Sequence, residues 1–310
     1  MKIRSIIFLL IFCVPLLTAA VPDIVEKQSG NIPAAVEKIA DGAGADVGVA
    51  YASSGKYRQN GSRQDPLLSV FFHKLHVAVA VLDRADRENI ALDSRIQILS
   101  AEIKPDLYSP LREKYGVRDL SLPLRELLRY MVAESDNNAC DILIRWLGGV
   151  KKVAAYSRKI GLRQTEILVT ETEMNRNVRL QYANKAPLSE IIRLLQLIDG
   201  GKLFAPELHK ELLAIMEKTS TGTDKIKKYL PSFVSVAHKT GSSSRLTDGK
   251  KIADNDVAII KSGNNVWYLA VMVADSRLSD KENAEIIARI AFLIYKTEIN
   301  GKISGKTPEN

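Results

Sequence analysis

Three segments of this 310-residue chain carry side chains suited to nucleophilic chemistry, in a fixed order. Ser69 is followed by Lys74, Ser135-Asp136-Asn137 lies in the middle, and Lys239-Thr240-Gly241 follows an apolar run further on. A serine hydroxyl is a weak nucleophile until a neighbouring base takes its proton. Acyl transfer to it also needs hydrogen-bond donors for the developing oxyanion. Either triplet alone is weak, because three-residue patterns recur by chance. In this order, with a serine–lysine segment upstream, they point to acyl transfer onto a serine.

These residues need elements to position them. Residues 75–82 are continuously apolar and predict a buried helix directly after Lys74. Leu124, Leu127, Leu128 and Met131 recur at i, i+3, i+4 and i+7, one face of a helix. Ser121 can cap it, with Pro123 in the first turn. The next helix is predicted from about Ala139 to Gly148-Gly149. Others are predicted over 33–40, 187–198, 206–216 and 281–295. Strands are predicted over 47–51 and 57–60 around a turn, and over 234–237 leading into Lys239. A hairpin is predicted over 257–260 and 267–273. The polar tail after Ile299 is expected to be loose.

Strands at both ends with helices between them imply one shared sheet. The expected fold is α/β of α+β sandwich type, with an antiparallel sheet built from residues 21–64 and 221–310 and flanked by helices. An all-helical lobe, about 65–220, is inserted, and the cleft between lobes is the expected site.

Composition narrows the partners. Residues 1–20 read as a secretory signal: Lys2 and Arg4, an apolar run over 6–17, then Thr18-Ala19-Ala20. Cleavage there lowers the net charge of +8 by two and leaves Cys140 as the one cysteine. The mature protein, 21–310, is then expected in the periplasm without an internal disulfide, with Cys140 as a buried thiol. No later segment is long and apolar enough to cross a bilayer. Basic residues are interspersed with acids and aromatics make up 6%, which argues against a nucleic-acid partner. The four histidines show no metal-ligand spacing with another His or Cys, so no metal or cofactor is expected. A monomer is expected.

Several segments resemble the class A serine β-lactamases, most nearly the Bacteroides-type cephalosporinase branch. They include 66–71, 74–81, Tyr108-Ser109-Pro110-Leu111-Arg112, 135–143, Thr170-Glu171 with Met174, and His238-Lys239-Thr240-Gly241-Ser242. The resemblance implies hydrolysis of a β-lactam amide through an acyl-enzyme, and with it antibiotic resistance. It implies Ser69 as nucleophile, Lys74 one helical turn on, and Ser135 as proton relay to the leaving nitrogen. Asn137 would hold the substrate's side-chain amide. Lys239 and Thr240 would bind its carboxylate, and Gly241 would allow close approach. The backbone N–H groups of Ser69 and Ser242 would form the oxyanion hole. Glu171 would activate the deacylating water with help from Asn175, although Glu173 is a local competitor. Tyr108 would line the cleft mouth. Arg245 is a weaker candidate for carboxylate binding, and His238 reads as a packing residue.

One departure matters. The family pattern is Ser-x-x-Lys, whereas here the spacing is Ser69-Val70-Phe71-Phe72-His73-Lys74. On a regular helix an i, i+5 pair is about 140° and roughly 7.5 Å apart. The extra pair of residues can loop out and restore contact. Alternatively the helix keeps Lys74 in place and Phe71 takes the nucleophile's position. In a third arrangement His73 acts as a local base. The corresponding functions are a hydrolase and a β-lactam-binding homologue without turnover. A DD-peptidase relative is disfavoured, because Glu171 would be superfluous to it.

Overall fold

The computed structural model describes residues 32–41, 44–53, 56–61, 68–69 and 73–303. The expected leader, Cys13 and the Val70-Phe71-Phe72 segment lie outside these residues. Helix α1 (Ile32–Asp41) precedes the hairpin β1 (Asp46–Ser53) and β2 (Lys56–Gly61). Strand β3 (Leu68–Ser69) comes before helix α2 (His73–Arg87). Then come β4 (Arg95–Ile98), α3 (Pro110–Tyr115), β5 (Leu120–Pro123), α4 (Leu124–Ala133) and α5 (Asn137–Leu147). The middle continues through α6 (Val150–Lys159), α7 (Glu171–Arg176), β6 (Lys185–Ala186), α8 (Leu188–Asp199) and α9 (Pro206–Glu217). Strands β7 (Ser235–Ser242), β8 (Lys251–Ser262) and β9 (Asn265–Ser276) and helix α10 (Asp280–Ile303) follow.

The strands from the two ends of the chain meet as expected. The main sheet is antiparallel in the order β2-β1-β9-β8-β7. Its central strands are apolar on both faces, because each face is covered by helices. Val47, Val49 and Tyr51 of β1 and Leu269, Val271 and Val273 of β9 pack with α1 and with Ile287, Ile290 and Leu293 of α10. The alternate residues Ala50, Ala52, Ala270 and Met272 join the core of the helical middle on the other face. The period-2 alternation of a strand thus divides one run of apolar residues between two cores.

Helix α4 buries Leu124, Leu127, Leu128 and Met131 completely, as the spacing predicts. Ser121 is not its cap. It lies in β5, paired with Gln97 of β4, and Pro123 precedes the helix. The carbonyls of Ser94 and Leu92 accept from the amides of Leu124 and Arg125, so the first turn needs no side-chain cap. Helix α5 starts at Asn137, two residues before the expected Ala139, because Asp136 caps it through the amide of Ala139. It stops at Gly148, where φ is 92°. Helix α10 runs on through the segment expected to be loose, as far as Ile303. No helix among the described residues is long and apolar enough to cross a membrane.

Candidate active site

Lys74 is the second residue of α2 and is buried. Its Nζ lies 2.8 Å from Glu171 Oε1 and donates to Asn137 Oδ1 at 2.6 Å and to the Ser135 carbonyl at 3.0 Å. Ser135 Oγ is 3.5 Å away. Burial alone would favour the neutral amine, but Glu171 outweighs it and raises the lysine above its ordinary pKa.

Ser135 occupies the junction between α4 and α5 with φ at +58°, a left-handed conformation unusual for serine. Its neighbours fix that conformation. The amide of Asp136 donates to the Tyr130 carbonyl and that of Asn137 to the Tyr108 carbonyl. The Asp136 carboxylate, fully buried, accepts from Ser109 Oγ and the Leu111 amide as well as from its own helix. Strain of this kind persists where the surroundings over-determine it, and here it turns the Ser135 hydroxyl toward Lys239.

Glu171 opens α7. Asp141 on α5 accepts from the amides of Glu171 and Thr172 and from the Thr172 hydroxyl, anchoring the start of that helix. Thr170 and Glu173 form a capping box around it, so Glu173 serves the backbone and is exposed to solvent. The following loop is clamped too. Asn184 accepts from the amides of Leu168 and Val169, and Gln181 accepts from the amide of Ser244. Burial by itself would raise the Glu171 carboxyl. Lys74 and His73 overcome that and hold it at about 2, below its ordinary 4.5.

This pairing has a consequence for stability. A carboxyl with a depressed folded-state pKa stabilises the protein above its unfolded pKa, and that stability is lost as pH falls through the folded value. We expect Glu171 to contribute about 3 kcal/mol at neutral pH. That contribution should decline from about pH 4.5 to about 2. Urea unfolding midpoints across this window measure it; a flat profile would mean that Glu171 is not held as an ion.

Strand β7 is an edge strand of the main sheet and supplies the opposite wall. Lys239 is fully buried and donates to Ser135 Oγ at 2.9 Å and to the Thr240 carbonyl at 2.8 Å. Burial, and then the like charge of Lys74, push its pKa well below the ordinary lysine value. The Thr240 hydroxyl sits 2.6 Å from that of Thr221. Gly222, at φ +66°, lets this second wall approach: a Cβ there would lie 2.4 Å from the Thr240 methyl. Lys225 in the same wall is paired with Asp254. The cleft between these walls encloses about 360 Å³.

The cleft brings together Lys74, Tyr108, Ser135, Asn137, Glu171, Thr240, Gly241 and Ser242, with Lys239 beneath its floor. Tyr108 is 55% exposed at the mouth. Two candidates stand elsewhere. Asn175 is exposed, does not line the cleft, and donates its amide to Asp106 at 2.6 Å. Ser69 belongs to β3, where it pairs with Lys185 of β6, and α2 begins only at His73. Lys74 is therefore not one helical turn beyond Ser69: the lysine lies on α2 in the cleft and Ser69 on the strand. Arg245 pairs with Asp280, and His238 is buried against Asp256 at 3.1 Å, a packing role. Sequence reasoning missed the Thr221-Gly222 wall, Asp141 and the position of His73. Thr221-Gly222 follows Thr219-Ser220 in a small-residue run that was the available signal.

Comparison with known proteins identifies the family. The model of the Beta-lactamase enzyme family matches residues 31–297. A β-lactamase of Bacteroides uniformis is 40% identical over 87% of this chain and 92% of its own length. The extended-spectrum β-lactamase PER-1 of Pseudomonas aeruginosa is 31% identical, covering 91% of each chain. A crystal structure of a class A β-lactamase representative from Bacteroides cellulosilyticus superposes with a TM-score of 0.82 at 41% identity. That match covers 87% of this chain and 97% of the other.

Proposed function

This chain belongs to the class A β-lactamase family, and from that premise we propose that it hydrolyses penicillins and cephalosporins through an acyl-enzyme on Ser69. The observation that carries this reading is the meeting of Lys74, Ser135, Glu171 and Lys239 around one cleft. In neutral solution Lys74 is charged and Glu171 ionised, so Glu171 is the basic member of the pair. It takes the proton as Ser69 Oγ attacks the lactam carbonyl. The backbone N–H groups of Ser69 and Ser242 receive the oxyanion. Ser135 passes a proton to the leaving nitrogen as the C–N bond breaks and is resupplied through Lys74 with the proton that Glu171 took, which leaves Glu171 ionised again. Water then attacks the ester, with Glu171 again accepting the proton, and releases the opened product.

Lys239 recognises the substrate carboxylate together with Thr240. As a buried amine beside another cation it is disfavoured as an ion, and an arriving carboxylate restores its charge. Asn137 and Tyr108 hold the side chain at the mouth, and Gly241 lets the substrate lie against the edge strand. We also propose that residues 1–20 direct export to the periplasm and that the mature 21–310 enzyme acts there as a monomer, conferring resistance. Its sheet lobe would comprise 21–64 and 221–310, and its helical lobe 65–220.

Ser69→Ala is expected to reduce hydrolysis of a chromogenic cephalosporin to background. A retained rate would assign the nucleophile to another group. One observation favours a second reading: Ser69 lies on β3, outside the helix that carries Lys74. On that reading the cleft binds β-lactams reversibly and does not turn them over.

A further inference from the structure

The two residues that interrupt the serine–lysine spacing bring a new side chain to the site. His73 is the first residue of α2 and is buried. Its Nε2 lies 3.2 Å from Glu171 Oε1 on α7 and 3.7 Å from Cys140 Sγ on α5. One donor atom from each of the three residues lies within 4.8 Å of the other two. No sequence spacing announces this group, because the donors come from three helices.

We propose that His73, Cys140 and Glu171 form a binding site for a thiophilic divalent cation, zinc in particular, that competes with Lys74 for Glu171. The donor set is mixed nitrogen, sulfur and oxygen, which suits zinc and not magnesium or calcium. A tetrahedral zinc with bonds of about 2.0–2.1 Å to N and O and about 2.3 Å to S has ligand–ligand edges of roughly 3.3–3.7 Å. Two of the edges, 3.2 and 3.7 Å, fall within about a tenth of an ångström of that range. The third edge, from Cys140 to Glu171, lies within 4.8 Å and shortens into that range as the ion binds.

Charge and access are compatible with an ion. Binding replaces the Cys140 thiol proton, which leaves to solvent, so the thiolate and the Glu171 carboxylate together balance a dication. Lys74 loses one partner and keeps two, Asn137 Oδ1 at 2.6 Å and the Ser135 carbonyl at 3.0 Å. Glu171 and Lys74 both line the cleft, which gives the ion a path from solvent. The fourth coordination position is open to water or to a donor from the cleft. With Glu171 ligated, its carboxylate is withdrawn from proton transfer, so the loaded protein is an inhibited form.

The test is titration of the full chain with cobalt(II) as a spectroscopic probe, followed by zinc. The expected result is a thiolate-to-cobalt charge-transfer band that saturates at one equivalent and is abolished by zinc. Cys140→Ser and His73→Gln, each checked for folding by circular dichroism, should remove it. Because the full chain also contains Cys13, a band that persists in Cys140→Ser would overturn the assignment. So would its absence from the wild-type chain, a result that needs no variant. Zinc should also lower cephalosporin hydrolysis at least tenfold at saturation. The cobalt band is read without substrate, so metal binding without hydrolysis would support this site and count only against the hydrolytic reading.

Discussion

Glu171→Gln stalls the enzyme at the acyl stage: the chain accumulates a covalent β-lactam adduct while steady-state hydrolysis falls by about 10²–10⁴-fold, the usual contribution of a general base. Glu171 is the one ionised carboxylate held against Lys74 inside the cleft. Glu173, its neighbour in sequence, is bound to the amide and hydroxyl of Thr170 and exposed to solvent. The glutamine keeps the shape and one acceptor oxygen, so Lys74 retains a partner at that position. It cannot take a proton from water. Without the Glu171 charge that raises it, buried Lys74 falls toward the neutral amine and takes the Ser69 proton instead, so the adduct forms and persists, visible as a stable mass increase on the intact chain. Unchanged turnover would remove Glu171 from the mechanism and point to Asp224, the other carboxylate that lines the cleft.

Deletion of Phe72 and His73 is expected to accelerate acylation by about 10²-fold or more. The deletion converts Ser69 and Lys74 from i, i+5 to i, i+3, which puts both on one face of a helix. In the native chain Ser69 is held in β3 opposite Lys185, four residues before α2 begins, while Lys74 already occupies the cleft. Misplacement of a reacting group by about 1 Å can cost 10²-fold in rate, and a two-residue offset is larger than that. Rapid-quench mass spectrometry of adduct formation gives the acylation rate of both proteins. A deletion variant that acylates no faster would mean that the native Ser69 is already in register.

The architecture was legible in the sequence because apolar periodicity reports burial directly. The Leu124–Met131 stripe, the strand pairs at both ends and the glycines after α5 each reflect a local rule. Where the reading failed, a tertiary partner had replaced the local one. Ser121 has the chemistry of a cap, but the carbonyls of Ser94 and Leu92 satisfy the helix that it would have capped. Asn175 lies one turn beyond Glu171, yet Asp106 takes its amide.

The site was legible in part for the same reason. Lys239-Thr240-Gly241 and Ser135-Asp136-Asn137 are contiguous and bear their chemistry in the open. The irregularity at 69–74 was equally plain, but its structural outcome depends on which end of the segment is better anchored. Lys74 is anchored by Glu171, Asn137 and Ser135, so the lysine keeps its place and the offset falls on the serine side. The contact between His73 and Cys140 joins residues 67 positions apart and has no sequence signature.

The proposed reaction stands on acylation of Ser69 followed by hydrolysis of the ester. Intact-protein and peptide mass spectrometry of the purified chain, mixed with a chromogenic cephalosporin while the colour change is followed, tests it most directly. Hydrolysis accompanied by a transient adduct that maps to Ser69 is expected. A chain folded by circular dichroism that shows neither adduct nor hydrolysis would contradict it, and would establish a cleft that keeps its binding groups without its nucleophile.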